Sequence, residues 1–216
     1  MKRLLALLVP VVLSVAACHT TEAGGGTKPA QEASAPRAHV GTDPGGVGMG
    51  TALAPRAGNQ LAAFAGGCFW GVEDVFRQVP GVKATAVGYT GGHTVSPTYP
   101  EVCKHTTGHA ETVLVEFAPK EVSYDKLLEI FFKNHDPTTF HRQGPDVGSQ
   151  YRSEVFSFSE EQAAAARAII AKEQARLGKP VVTQVTPIPA FYKAEEYHQQ
   201  YDEKSGTHSC AIGLPT

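Results

Sequence analysis

The order of apolar patterns along the chain predicts a two-layer α+β sandwich. Four stretches, 60–65, 82–90, 111–117 and 153–158, have the length and apolar content of strands. Amphipathic helical patterns lie between the first and second and between the third and fourth. Glycine- and proline-punctuated stretches make the longest connections. Strand, helix, strand, strand, helix, strand is the split β-α-β order of ferredoxin-like folds, followed here by an extra helix and an irregular C-terminal tail.

Gln60-Leu61-Ala62-Ala63-Phe64-Ala65 reads as a buried strand. Gly66 and Gly67 follow it, and Val72, Val75, Phe76 and Val79 then recur on one face of a helix that Pro80-Gly81 stops. Residues 82–90 form the second strand. A long loop runs from Gly88 to His109, where Gly91-Gly92 and Ser96-Pro97 argue against a regular element. Loops of that length inside compact domains are commonly functional. In the third strand Val113, Val115 and Phe117 alternate with Thr112, Leu114 and Glu116. Ser123 caps a helix with Tyr124, Leu127, Leu128 and Phe131 on its apolar stripe, and Asp136-Pro137 ends it. An irregular stretch, 138–150, leads to the fourth strand. Ser159 opens the alanine-rich extra helix, which runs to Leu177 before Gly178 and Pro180. A short strand is expected at 181–186, and a helical turn fits 193–201.

With 216 residues and a formal net charge of −2, the chain has room for one domain and tails, and it lacks the basic excess of a nucleic-acid binder. Lys2 and Arg3 precede an apolar run, 4–17, that is too short to span a bilayer and is shaped like a signal-peptide core. Ser14-Val15-Ala16-Ala17-Cys18 resembles a bacterial lipoprotein box. That implies a signal peptide over 1–17 and lipid on Cys18; an ordinary secretory signal is the alternative. Acyl chains at Cys18 imply a membrane anchor in the bacterial cell envelope, with the globular domain outside the cytoplasm and facing the periplasm if there are two membranes. Residues 19–57 contain no aromatic residue and no isoleucine, so 18–57 is read as a lipidated, disordered linker and 58–216 as the domain. No heptad or self-pairing patch is apparent, and a monomer is expected.

Cys68 sits where the first strand turns into a helix N-terminus. The unpaired N–H groups and the dipole there favour an anion, so a thiol at that place is more thiolate near neutral pH. Gly66 and Gly67 leave room for a partner to approach the sulfur, and Phe69 and Trp70 can wall an apolar slot beside it. A small buried cysteine with two core aromatics fits position alone equally well.

Gly67-Cys68-Phe69-Trp70-Gly71 resembles the GCFWG signature of the peptide methionine sulfoxide reductase A family. Thr107-Gly108-His109-Ala110-Glu111 resembles the family's TGHAE motif. Residues 143–153 resemble its QGxDxGTQYRS segment, with Pro145 and Ser149 in place of the commoner Asn and Thr. The resemblance covers 66–210 and implies thiol-dependent reduction of methionine S-sulfoxide, free or in proteins, to methionine. It assigns Cys68 as the nucleophile, left as a sulfenic acid, and Glu111 as proton donor. Tyr99 and Tyr151 would hydrogen-bond the sulfoxide oxygen, Asp146 would orient them, and Phe69 and Trp70 would receive the S-methyl group. Cys210 is the recycling cysteine by this resemblance, although Ser209 replaces the family's usual tyrosine and no later cysteine follows. The implied partners are oxidised proteins or peptides and a thioredoxin-like reductant; no metal or organic cofactor is implied, because sulfur carries the electrons.

Cys103 matches a family position that is not the nucleophile and is read as structural. Cys103, His105 and His109 are also spaced as thiolate and imidazole ligands of zinc or copper would be, the reading of a rival metal-binding module. His135, His141, His198 and His208 are read as surface or capping residues.

Overall fold

A computed structural model of the chain describes residues 39–49 and 52–206. The expected signal peptide, Cys18, His208 and Cys210 therefore lie outside the described residues. The unit that contains the described residues begins at Ala38.

Strand β1 (Gln60–Gly66) leads into helix α1 (Phe69–Arg77), and β2 (Val82–Thr90) follows. A single turn, α2 (Tyr99–Val102), interrupts the long loop before β3 (Ala110–Phe117) and α3 (Tyr124–Lys133). A small hairpin of β4 (Arg142–Gln143) and β5 (Asp146–Val147) precedes β6 (Ser153–Ser157). Helix α4 (Glu160–Leu177), β7 (Gln184–Pro187), β8 (Tyr192–Lys193) and α5 (Tyr201–Ser205) complete the order. The main sheet runs β7-β6-β1-β3-β2-β8. Its four central strands pair antiparallel, β1 lying between β3 and β6. This is the ferredoxin-like arrangement, and the α+β sandwich is the fold of the chain. β7 extends the sheet parallel to β6, and β8 extends it antiparallel to β2.

Side chains on a strand alternate between faces, and the two faces of this sheet meet different neighbours. Ala62 and Phe64 of β1 join Val113, Val115 and Phe117 of β3 under the helices, with Phe76, Leu127 and Phe131. The Phe64 ring stacks on Phe76 at 4.8 Å and on Phe131 at 5.1 Å between centroids. Ala63, Ala65, Ala86 and Leu114 face the other way, against Val47, Phe156 and the partly buried Leu53, Ile188 and Phe191. Irregular chain covers that face, so all eight residues of β3 are buried, including those whose alternation suggested a polar side.

The structure moves the start of the folded region upstream of the expected boundary at Gly58. Gly41 pairs with the edge of β2: its N–H donates to the Lys83 carbonyl at 2.8 Å and its carbonyl accepts from Thr85 at 3.1 Å. Glu116, wholly buried on the second face, accepts from the Gly45 and Arg56 amides at 2.9 and 3.0 Å. Asn59 Nδ2 donates to the same carboxylate at 2.7 Å and the Arg56 guanidinium at 3.3 Å. Burial opposes ionisation of Glu116, but the bonds from Asn59, Gly45 and Arg56 prevail and hold its pKa below the usual value. A segment without an apolar pattern is thus held by its backbone polar groups and the Arg56 side chain together with Val47 and Leu53, so the described residues between 39 and 57 belong with the domain and not with a tether.

Two further expectations shift. The short strand expected at 181–186 is β7, displaced by a few residues. The helical turn expected at 193–201 resolves into β8, a 3-10 turn at Glu196–His198 and α5. Helix α2 escapes the sequence reading because Pro97 and Pro100 look like breakers. Pro100 lies in the first turn, where its missing N–H costs nothing, and Glu101 accepts the Thr98 amide at 2.8 Å as a cap.

Replacing Glu116 by Ala leaves the buried Gly45 amide and the partly buried Arg56 and Asn59 donors without their acceptor, and we expect a loss of roughly 3 kcal/mol in urea-induced unfolding. Trypsin should also cut the variant faster at Arg56. An unchanged midpoint would contradict the latch.

Candidate active site

Gly67 links β1 to α1 with φ +105, and a Cβ there would lie 2.6 Å from the Gln143 side chain. At Gly66 a Cβ would lie 2.7 Å from the Phe131 ring. The two glycines therefore admit Gln143 and Phe131, where the sequence reading had them clearing an approach to sulfur. Gln143 is tied to the backbone of Asp136, accepting its N–H at 2.9 Å. Packed on Gly67, it carries the β4–β5 hairpin, and with it Asp146, to the start of α1.

Cys68 is the N-cap residue of α1 and is half-buried. Phe69, the first residue of the helix, has an amide that no helical carbonyl can reach. Glu111 supplies the acceptor: its Oε2 lies 3.2 Å from the Phe69 nitrogen. Glu111 is on β3, directly opposite Tyr89 of β2, and only 2 % of it is exposed. Burial raises its pKa to about 8; the Phe69 amide opposes that rise and nearby Asp146 adds to it. At neutral pH this carboxyl therefore holds its proton. Asp146 is itself shifted upward by partial burial.

Tyr151 ends a 3-10 turn, and burial raises its pKa, helped by Glu111, Asp146, Cys68 and Cys103, all within electrostatic reach of the phenol. Burial likewise raises the pKa of Tyr99, with Cys103 beside its phenol and Glu111 and Tyr151 in reach. Both phenols thus keep their protons and remain hydrogen-bond donors. The structure brings Cys68, Glu111, Tyr99, Tyr151 and Asp146 to one place. Cys103, read as structural, borders that place through Tyr99.

Phe69 is buried and Trp70 half-buried. His198 lies among Phe69, Trp70, Tyr99 and Tyr197, with ring centroids 5.1, 5.5, 4.5 and 4.1 Å away. The Trp70 indole N–H donates to His198 Nδ1 at 3.0 Å, which puts the imidazole proton on Nε2. Burial lowers the His198 pKa against the pull of Glu195, so the ring is neutral at pH 7. Tyr201 stacks face to face on the Trp70 indole at 3.7 Å and 9°. Glu195 accepts from the Tyr89 hydroxyl at 2.9 Å and from the Tyr99 amide at 2.8 Å, joining α2 to the sheet.

His198 and His135, read as surface or capping residues, do not lie at the surface, each being 1 % exposed, and His135 caps the end of α3. His135 bonds the Phe131 carbonyl and Ser153 Oγ, each at 2.7 Å. His109 accepts the Gly92 amide on Nδ1 and bonds the Thr94 carbonyl through Nε2 at 2.8 Å, stitching the long loop to β3. His105 Nδ1 is 2.7 Å from Gln150 Oε1. These engagements leave His109 without a nitrogen for a metal. His198 and Glu195 were legible only as part of the polar run from Glu195 to Tyr201, which has no periodicity to mark it as buried.

Residues 60–215 match the family model described as peptide methionine sulfoxide reductase. The chain is 59 % identical over 154 residues to peptide methionine sulfoxide reductase MsrA of Methanosarcina acetivorans, across 70 % of this chain and 82 % of that one. Among solved structures it resembles methionine sulfoxide reductase A of Corynebacterium diphtheriae, with 37 % identity, a TM-score of 0.66 and coverage of 70 % and 77 %. It also resembles Mxr1 of Saccharomyces cerevisiae in complex with Trx2, with 29 % identity, a TM-score of 0.50 and coverage of 68 % and 86 %.

A protonated Glu111 has a direct signature. Difference infrared spectra should show a carboxylic-acid band that persists at pH 7, fades through about pH 8 and is absent from Glu111→Gln. A band lost by pH 5 would show that burial does not hold the proton.

Proposed function

The chain belongs to the peptide methionine sulfoxide reductase A family and reduces methionine sulfoxide, and from that premise we propose that Cys68, Glu111, Tyr99, Tyr151 and Asp146 perform the reduction. The observation that carries this reading is the buried, protonated Glu111 carboxyl bonded to the amide beside Cys68.

A sulfoxide oxygen leaves sulfur only once it is protonated. The Cys68 thiolate attacks the sulfoxide sulfur while Glu111 gives its proton to the oxygen. The protonated oxygen then passes to the Cys68 sulfur: the substrate sulfur–oxygen bond and the bond between the two sulfurs break, methionine departs reduced by two electrons, and Cys68 is left oxidised as sulfenic acid with Glu111 as carboxylate. Tyr99 and Tyr151 donate hydrogen bonds to the oxygen as its charge grows, and Asp146 orients them. The apolar S-methyl group rests against Phe69 and Trp70. The family resemblance implies the S-epimer as the substrate, the two epimers being served by separate enzymes.

Recycling follows from thiol chemistry. The Cys210 thiol condenses with the Cys68 sulfenic acid, forming a disulfide and releasing water. A thioredoxin-type dithiol, the kind of partner that the yeast relative's complex with Trx2 suggests, then reduces the disulfide by exchange. We place the protein on the cell envelope through lipid at Cys18, where its substrates are oxidised extracytoplasmic proteins.

Counting products separates the roles. Cys68→Ser should form no methionine above background. Cys210→Ser should form one methionine per chain and then stop with thioredoxin as the reductant. Sustained turnover by the Cys210 variant would remove that residue from the cycle.

A further inference from the structure

Glu73 is a carboxylate that the chemistry above does not use. It lies on α1, one turn beyond Trp70, and is 1 % exposed. Burying a carboxylate in a helix–sheet interface is costly, and an apolar side chain would pack there without that cost. Its bonds show what it holds. Thr85 Oγ1 donates to Oε1 at 2.8 Å, but the other two donors belong to Gln200, 127 residues away: the backbone amide at 2.8 Å and the side-chain amide at 3.0 Å.

Gln200 needs such a hold. Its φ of +50 and ψ of +43 place it in the left-handed region, unfavourable for a residue other than glycine. That conformation turns the chain from the 3-10 turn containing His198 into α5. Gln199 beside it is locked as well, accepting the Val87 amide at 2.9 Å and donating to the Val87 carbonyl at 3.0 Å. Immediately on either side of this pair stand the two residues that grip the Trp70 indole. His198 takes its N–H at 3.0 Å, and Tyr201 covers its face at 3.7 Å. Trp70 is half-buried, so these two contacts make up much of what surrounds the indole.

We propose that Glu73 is a positioning residue: by holding Gln200 it fixes the 198–201 segment, so that His198 and Tyr201 hold the Trp70 indole as a rigid wall for the substrate methyl group. The proposal rests on the reading of Trp70 as that wall. Glu73 touches no reacting atom, so its loss should act on substrate binding and leave the chemical step in place.

Trp70 is the only tryptophan in the chain, so intrinsic fluorescence reports its surroundings alone. In the full chain carrying Glu73→Gln, with its fold checked by circular dichroism, the emission should move to the red and acrylamide should quench it more. In single turnovers of a methionine S-sulfoxide peptide, the half-saturating concentration should rise ~10-fold, the effect of about one lost buried hydrogen bond, with the limiting rate changed less than ~2-fold. Should Glu73→Gln not fold, Gln200→Gly accepts the left-handed backbone and removes the side chain's bond to Glu73 and its longer one, 3.5 Å, to the Thr85 carbonyl, while keeping the backbone amide bond; the same two changes are expected, at ~3-fold in concentration. Unchanged emission and quenching in a folded variant overturn the proposal. So does altered emission with unchanged saturation, where Trp70→Ala raises the half-saturating concentration. If Trp70→Ala leaves saturation unchanged, the pocket reading fails and the positioning role falls with it, whatever the emission shows.

Discussion

The bond from the Phe69 amide to the Glu111 carboxyl joins the start of α1 to the middle of the sheet. It depends on the β1–β3 pairing, which sets Glu111 beside the end of β1, and on the turn through Gly67. Two effects compete at this bond. A helix N-terminus favours a carboxylate, while burial favours the acid. Burial prevails, and the pKa reaches about 8. The outcome matters for Cys68 as well. Two anions at one helix terminus repel each other. With Glu111 neutral, no second anion competes with the Cys68 sulfur for the positive end of α1.

The second determinant is how the sheet's two faces are covered. Helices α1 and α3 bury one face in a dense aromatic core that includes Phe64, Phe76 and Phe131. The head of α1 packs into that layer through Phe69 and Val72. Irregular chain covers the other face and reaches the sheet through small residues such as Ala63, Ala65 and Ala86. The C-terminal run crosses from β8 to the site and places Glu195, His198 and Tyr201 around Tyr99 and Trp70. Residues distant in sequence thereby supply the second wall of a site whose first wall follows directly from the cysteine.

The central strands were legible as short apolar runs, helices α1 and α3 by their period, as in Val72, Val75 and Phe76 or in Leu127, Leu128 and Phe131, and α4 by its alanine content between Ser159 and Gly178. Cys68 was legible as a helix-start thiol. Glu111 was not legible as an acid from its residue type, because only the covering of both faces of β3 makes a strand-end glutamate a buried one. The ordering of the described residues between 39 and 57 was hidden for a similar reason. Their partners are the edge of β2 and a carboxylate, Glu116, that lies far along the chain. His198 and Glu73 likewise take their meaning from contacts across more than 120 residues, to which no local pattern points.

The central claim is that Glu111 is the proton donor to the sulfoxide oxygen. The most direct test is the rate of methionine formation in a single turnover, followed against pH in the wild-type chain and in Glu111→Gln. Glu111 must hold its proton to act, so the wild-type rate should fall as pH rises through about 8. The variant should lack that falling limb and be slower at pH 7 by ~10²-fold or more. Equal rates with the same pH profile in both chains would contradict the claim.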